Sequence, residues 1–172
     1  MWRYGANGPL DSGTYGASRF ESESEEMKIG IIGAGKVGSV LAGHFVGLGH
    51  SVLVANSRGP QTLTELARET GAAPVLISEV AKGVDLLVIT IPLKSVPALP
   101  KDVLSGLPAA SPILDTCNYY PIRDGAIPEI IRGMTDSEWT SRVLGRPVVK
   151  RATTSLPTAL VTGTFKRDRR IA

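Results

Sequence analysis

A run of glycines placed directly after an aliphatic segment constrains the fold of this chain more than any other feature. Residues 27–32 (Met-Lys-Ile-Gly-Ile-Ile) have the length and composition of a buried β-strand. A strand, a G-x-G-x-x-G spacing and a following helix together predict a turn that binds the pyrophosphate of a dinucleotide. A tight strand-to-helix turn without a ligand is the alternative. The six residues with this spacing are Gly33, Ala34, Gly35, Lys36, Val37 and Gly38.

Each glycine has a separate physical role in such a turn. Gly33 permits the tight turn, Gly35 lets the backbone approach the pyrophosphate, and Gly38 allows the helix to pack closely on the strand. Apolar side chains then recur at three- and four-residue steps from Val37 to Leu48, which indicates an amphipathic helix. The phosphates would face the unpaired N–H groups at the start of this helix.

The rest of the chain alternates between predicted strands and predicted helices. This alternation requires a parallel sheet with right-handed crossovers. The fold class is therefore α/β, a Rossmann-type, doubly wound, mostly parallel sheet within residues 27–150. Strands are expected at 51–55, 74–77, 85–91, 112–115 and 147–150, helices at 60–70, from 78, after 92 (interrupted by prolines at 97 and 100) and at 136–144, and an irregular loop at 118–128.

Bulk composition excludes several classes of protein. The chain is 42% hydrophobic but only 5% aromatic, which suits the aliphatic core of an α/β fold. No segment approaches the roughly 18 uninterrupted apolar residues of a membrane span. The single cysteine, Cys117, rules out an internal disulfide and fits a reducing compartment, so we expect a cytoplasmic location.

The two ends of the chain differ from its body. Residues 1–26 are rich in Gly, Ser and Glu without a structural period, so we expect a disordered extension and a native start at Met27. Residues 150–172 carry six basic side chains and one acidic one. The divergent basic tail at 151–172 lacks the interleaved aromatic residues of a nucleic-acid-binding segment. We therefore expect a small-molecule substrate and no nucleic-acid or membrane partner, with a homodimer left open.

The end of the second predicted strand indicates which dinucleotide binds. NAD-binding members of this fold usually place Asp or Glu there to bind the ribose 2′-hydroxyl. This chain has Asn56, Ser57 and Arg58 instead. A hydroxyl and a guanidinium would hold a 2′-phosphate that a carboxylate would repel, so NADP is favoured over NAD. The alternative is that Arg58 is only a solvated turn residue.

Two further strand ends fall at the same edge of the predicted sheet, where open α/β folds bind ligands. They are Thr90, Ile91, Pro92 and Leu93, and the segment that contains Thr116 and Asn118. Thr116 and Asn118 could hydrogen-bond the nicotinamide or its ribose, or serve as ordinary loop caps. His44 and His50 are expected to be structural or solvent-facing, and Cys117 is expected to be a buried, inert thiol. No catalytic side chain or metal-ligand spacing stands out, which fits hydride transfer by a bound cofactor.

These segments together resemble a known family, the NADPH-dependent coenzyme F420 reductases, whose relatives share an N-terminal domain with pyrroline-5-carboxylate reductase. The similarity covers about residues 27–150. It implies that hydride passes between NADPH and a deazaflavin or another small acceptor. It also implies that Ser57 and Arg58 bind the 2′-phosphate and that Ile91, Pro92 and Leu93 line the nicotinamide path. The segments that carry the resemblance are 30–38, 55–60, 91–96 and 115–121.

The resemblance ends abruptly after Lys150. Family members usually continue with an Ala-Phe-Asn segment and further elements that complete the acceptor pocket, whereas Arg151, Ala152 and Thr153 follow here. We therefore expect a frameshift or truncation that leaves the sheet truncated at its C-terminal end and apolar sheet surface exposed. A non-catalytic NADP-binding sensor domain and a truncated, inactive reductase are the alternatives to an active NADP-dependent reductase.

Overall fold

Six parallel strands form one sheet in the computed structural model, which describes residues 25–150. The strand order is β3-β2-β1-β4-β5-β6, with every pairing parallel. This is the order of a Rossmann-type, doubly wound sheet, and it confirms the predicted fold class. The strands are β1 (Lys28–Ile32), β2 (Ser51–Ala55), β3 (Ala73–Pro74), β4 (Leu86–Ile89), β5 (Ile113–Asp115) and β6 (Val149–Lys150).

The helices are short apart from the one that follows the glycine turn. They are α1 (Lys36–Gly47), α2 (Thr64–Thr70), α3 (Pro121–Asp124), α4 (Pro128–Ile131) and α5 (Asp136–Leu144), with 3₁₀ turns at Pro60–Leu63 and Leu93–Ala98. The ends of α5 follow its sequence: Thr135 and Glu138 form a capping box at its start, and Gly145 ends it in a left-handed conformation.

Alternate side chains of the central strands enter two separate apolar clusters, one on each face of the sheet. Ile29 and Ile31 of β1 pack with Leu41 of α1 and Val54 of β2. Ile32 packs on the other face in a larger cluster that includes Leu87, Ile89, Leu93 and Val96 of the neighbouring segments. Two-faced burial explains why the strands are aliphatic throughout and do not alternate with polar residues.

Several predicted boundaries were wrong in detail. The third strand lies at Ala73–Pro74 and not at 74–77, and Val75 adds one further hydrogen bond to the Val54 carbonyl. Residues from 78 form successive turns in place of a helix, and the backbone of Val80 lies directly against β1, where a Cβ on Gly30 would meet the Val80 carbonyl. β4 ends at Ile89.

Prolines and glycines explain the other two differences. The helix expected after Pro92 is a 3₁₀ turn at Leu93–Ala98, because Pro97 removes a hydrogen-bond donor inside it. The loop predicted at 118–128 contains the short helix α3, which begins at Pro121 and ends at Gly125. Apart from Glu25 and Glu26, the predicted disordered extension and the predicted basic tail lie outside the described residues.

Candidate dinucleotide site

The glycine turn joins β1 to α1 at the point where the strand order of the sheet reverses. Gly33 has φ 112°, and a Cβ there would lie 2.6 Å from the Thr90 carbonyl oxygen. A Cβ on Gly38 would meet the Gly33 carbonyl and lie 2.7 Å from the Thr90 hydroxyl. A Cβ on Gly35 would meet no protein atom within 4 Å. Two glycines therefore serve the packing of the turn, while the third faces open space.

The start of α1 has the features of an anion-binding helix terminus. Gly35 is its N-cap and supplies no side-chain hydrogen bond, and the first turn carries no acidic residue. Gly35, Lys36 and Val37 are exposed. The first N–H groups of a helix have no partner within it, and the positive end of the helix dipole lies beside them. This terminus is open to a phosphate.

Thr90 fixes the glycine turn from the neighbouring strand. Its backbone N–H donates to the Ile32 carbonyl at 2.8 Å, which continues the β1–β4 ladder by one residue. Its hydroxyl donates to the Gly33 carbonyl at 2.8 Å. Gly33 in turn donates its N–H to the Ala55 carbonyl at 2.8 Å. The turn is thus held to both neighbouring strands.

A tightly hydrogen-bonded loop follows β2. The Asn56 side-chain carbonyl accepts the backbone N–H of Arg58 at 2.9 Å, and its amide nitrogen donates to the Thr62 hydroxyl at 2.9 Å. Gln61 donates to the Arg58 carbonyl at 3.1 Å. The Ser57 and Arg58 side chains are exposed, and Arg58 makes no ion pair within the part of the chain that the structure describes. The Arg58 guanidinium in this loop is therefore available to bind a ligand.

A cleft of about 610 Å³ lies between these segments, within the size range of ligand pockets. The structure brings nine of the predicted site residues to its wall: Gly33, Ala34, Gly35, Asn56, Ser57, Arg58, Thr90, Ile91 and Pro92. Arg58 is the only charged residue among the described residues that line it. Sequence reasoning missed six others: Ile32, Ile77, Ser95, Ala98, Leu99 and Pro100.

The other predicted site residues lie off the cleft wall. Lys36, Val37 and Gly38 form the first turn of α1 beside it. Leu93 is fully buried in the apolar core. Thr116 donates its hydroxyl to the Ile89 carbonyl at 3.0 Å, and the Asn118 carbonyl accepts a hydrogen bond from Arg123.

A cluster of charges occupies the ends of β5 and β6. Asp115 is completely buried, with one carboxylate oxygen accepting the Cys117 N–H at 2.8 Å and the other 3.5 Å from the Lys150 ammonium. Lys150 also donates to the Cys117 carbonyl and lies 3.8 Å from an Asp136 oxygen. Burial, followed by the nearby Asp115 charge, raises the pKa of the Cys117 thiol to about 12. The thiol is therefore an inert core group.

A second ion pair lies in the segment after β5. Asp124 has a fully buried side chain that accepts hydrogen bonds from the Arg123 guanidinium and from the backbone N–H of Tyr120 at 2.9 Å. These contacts, the Arg123 bond first, hold the pKa of Asp124 below its ordinary value. Arg123 also lies over the ring of Tyr120, 4.9 Å from its centroid. This pair organises α3 and lies outside the cleft.

The remaining polar candidates have no place in the cleft. His44 is exposed in the last turn of α1, and His50 Nδ1 accepts the backbone N–H of Met27 at 3.4 Å. Within residues 25–150, no group of three His, Cys, Asp or Glu side chains could hold a metal ion. No helix in that same range is long and apolar enough to cross a membrane.

The sequence model of one family, described as "NADP oxidoreductase coenzyme F420-dependent", matches residues 28–119, which is more than half of the chain. This chain therefore belongs to that family, and the resemblance seen in its motifs is confirmed. No curated protein matches the chain.

Solved structures share the fold of this chain, and one of them has a name that agrees with the family. A hypothetical protein from Sinorhizobium meliloti is 26% identical, with a TM-score of 0.61 over 81% of this chain and 67% of its own. A candidate F420-dependent NADP reductase from Arthrobacter is 25% identical, with a TM-score of 0.59 over 72% of this chain and 61% of its own. A Mycobacterium tuberculosis 3-hydroxyisobutyrate dehydrogenase shares the fold at 17% identity, with a TM-score of 0.54 over 73% of this chain and 39% of its own.

Proposed function

We propose that this chain is an NADP(H)-dependent oxidoreductase that transfers hydride between NADPH and coenzyme F420 or another small acceptor. The observation that carries the proposal is the charge pattern of the cleft, where Arg58 is the only charged residue of the described lining. The family description and the name given to the Arthrobacter relative both point to the same pair of cofactors.

The cleft fits NADP on structural grounds. Gly35 leaves open space at the helix terminus, where a larger side chain would stand in the path of a ligand. The first turn of α1 offers backbone N–H groups to the pyrophosphate. Ser57 and Arg58 lie at the end of β2, and in this proposal their hydroxyl and guanidinium hold the 2′-phosphate. NADP is favoured because no carboxylate in the described lining of the cleft would repel that group.

Apolar side chains also line the cleft and suit the nicotinamide. Ile91 and Pro92 follow β4, and Ile77 and Leu99 lie on the same cleft surface. These side chains would exclude water from the reacting face and orient the ring, while Thr90 holds the glycine turn in place. When bound, NADPH supplies the hydride, so the protein needs no nucleophile or metal of its own. Thr116 and Asn118 are not among the described residues that line the cleft, so this proposal assigns them no contact with the nicotinamide or its ribose.

A spectrophotometric assay of the full chain tests this proposal. Purified protein is mixed with NADPH and oxidised coenzyme F420, and loss of the deazaflavin absorbance is followed beside matched reactions with NADH. We expect F420 reduction that depends on NADPH and is much slower with NADH. Tight NADPH binding without reduction would instead favour a non-catalytic dinucleotide-binding domain, and absence of binding would contradict the proposed site.

A further inference from the structure

In the loop after β2, hydrogen bonds from Asn56, Thr62 and Gln61 form a ring around the backbone of Arg58 and leave the Arg58 side chain free. Asn56 joins the N–H of Arg58 to the Thr62 hydroxyl, and Thr62 donates onward to the Gly59 carbonyl at 2.8 Å. Gln61 holds the Arg58 carbonyl from the other side. Both backbone polar groups of Arg58 are thus fixed by neighbouring side chains, although the residue itself is exposed.

Gly59 makes this ring possible. Its φ is 92°, in the region that favours glycine, and a Cβ there would lie 2.6 Å from the Gln61 side-chain oxygen. Pro60 then begins the 3₁₀ turn that brings Thr62 back towards Asn56. The loop is built so that Asn56 can reach both of its partners at once.

Asn56 also lies near the position that distinguishes NAD from NADP in this fold. It is the first residue after β2 and lines the cleft. NAD-binding members of this fold place a carboxylate near this point to accept the ribose 2′-hydroxyl. The Asn side chain has nearly the shape of the Asp side chain but carries no charge, and its amide nitrogen is a hydrogen-bond donor. The loop therefore keeps the shape of an acidic residue at this point without the charge that would repel a 2′-phosphate.

We infer that Asn56 is a positioning residue that sets the preference for NADPH over NADH, because it anchors the backbone of Arg58 and keeps the strand end uncharged. This inference rests on the proposed function and extends it from the residues that touch the phosphate to the one that arranges them. Preorganisation of this kind raises affinity because less freedom is lost when the ligand binds.

Two substitutions separate the anchoring role from the charge role. Asn56→Asp keeps an oxygen for the Arg58 N–H, and Thr62 can turn its hydroxyl towards the new carboxylate. We expect this variant to lose roughly tenfold or more in NADPH affinity through charge repulsion, and to gain NADH affinity. Asn56→Ala removes the anchor without adding charge, and we expect roughly tenfold weaker NADPH binding with NADH binding unchanged.

A matched pair of threonine variants controls for general damage to the loop. Thr62→Val removes the hydroxyl that Asn56 contacts, whereas Thr64→Val removes a hydroxyl that donates to the Gln61 backbone carbonyl at 3.1 Å and not to Asn56 or Arg58. We expect Thr62→Val to lower the ratio of NADPH to NADH affinity and Thr64→Val to leave it unchanged. Hydrogen exchange of the Arg58 amide gives a reading independent of binding. The exchange rate of this amide should rise in Asn56→Ala and stay unchanged in Asn56→Asp.

The experiment is calorimetric titration of the full chain and these variants with NADPH and with NADH. A lower ratio of NADPH affinity to NADH affinity in both Asn56 variants and in Thr62→Val supports the inference. If the unsubstituted protein prefers NADPH but the variants keep its ratio, the inference about Asn56 is overturned while the proposed function stands. If the unsubstituted protein shows no preference for NADPH, the proposed cofactor choice itself fails, and the inference fails with it.

Discussion

The ends of β1, β2 and β4 lie on the same edge of the sheet as the ends of β5 and β6, yet the two halves of this edge use their polar groups differently. In the cleft half, formed by β1, β2 and β4, Gly35, Lys36 and Val37 at the start of α1 and the side chains of Ser57 and Arg58 are exposed to solvent. In the paired half, formed by β5 and β6, the Lys150 ammonium forms an ion pair with the buried Asp115 carboxylate.

A ligand is therefore recognised at only one half of this edge. Polar groups that already have partners gain little from a ligand, because each new hydrogen bond replaces an existing one. Groups that face water can exchange it for phosphate oxygens through charge-assisted bonds. The cleft half is therefore the part of the edge suited to binding, and the paired half is suited to holding the sheet together.

The largest effect is expected in the paired half. Lys150→Met leaves the buried Asp115 carboxylate without its counter-charge, which should lower the free energy of unfolding by about 3–5 kcal/mol. Urea denaturation measures this loss. Lys101→Met is the matched control, since Lys101 is exposed and makes no ion pair with the described residues. A Lys150→Met variant as stable as that control would show that the pair does not hold β6 to the sheet.

Two glycines in the cleft half should respond differently to the same added methyl group. Gly38→Ala forces a Cβ against the Gly33 carbonyl and should lower the free energy of unfolding by about 1–3 kcal/mol. Gly35→Ala places its Cβ in open space, so stability should hold while NADPH affinity falls. Thermal unfolding and NADPH titration of both variants check this. If Gly35→Ala binds NADPH normally, the pyrophosphate does not approach this turn.

A pair of threonines compares the two halves directly. Thr90→Val removes a hydroxyl bound to the Gly33 carbonyl, and Thr116→Val removes one bound to the Ile89 carbonyl. Each should cost about 0.5–1.5 kcal/mol of unfolding free energy. Only Thr90→Val should also weaken NADPH binding, as measured by titration. Weakened binding in Thr116→Val would show that the end of β5 reaches the nicotinamide after all.

The smallest effect concerns pH. The folded Cys117 thiol has a pKa of about 12, so the native state keeps its proton at a pH where the unfolded thiol has lost it. Stability must therefore fall as pH rises through the unfolded pKa, by roughly 0.7 kcal/mol between about pH 8 and 9. Urea unfolding at both pH values should show this fall, and Cys117→Ala should reduce it. If the unfolding free energy changed equally with pH in the two proteins, the burial of the Cys117 thiol would be contradicted.

Much of the cleft could be predicted from the sequence because its determinants are local. The glycine spacing requires a tight turn wherever it follows a strand, and Asn56, Ser57 and Arg58 follow β2 directly. Parallel strands bring their carboxyl ends to one edge, so these segments meet without any further information. The resemblance to the family followed from the same motifs.

The rest of the cleft depends on packing that no local pattern records. Ser95, Ala98 and Leu99 come from or directly follow a proline-interrupted 3₁₀ turn that lacks a helical period, so their direction could not be deduced. Leu93 belongs to the same segment but is buried, since its neighbours leave it facing the core. The pairing of Asp115 with Lys150 joins residues 35 positions apart and needed the β5–β6 register.

The most direct test of the account is the affinity of the full chain for NADPH and NADH before and after Arg58→Ala. Arg68→Ala is the matched control, because this exposed arginine on α2 pairs with Glu65 away from the cleft. Loss of charge-assisted bonds to the 2′-phosphate should weaken NADPH binding in Arg58→Ala by roughly 10–100-fold and leave NADH binding unchanged. Arg68→Ala should alter neither affinity. Equal losses of NADPH and NADH affinity in Arg58→Ala, or no loss of either, would contradict the account.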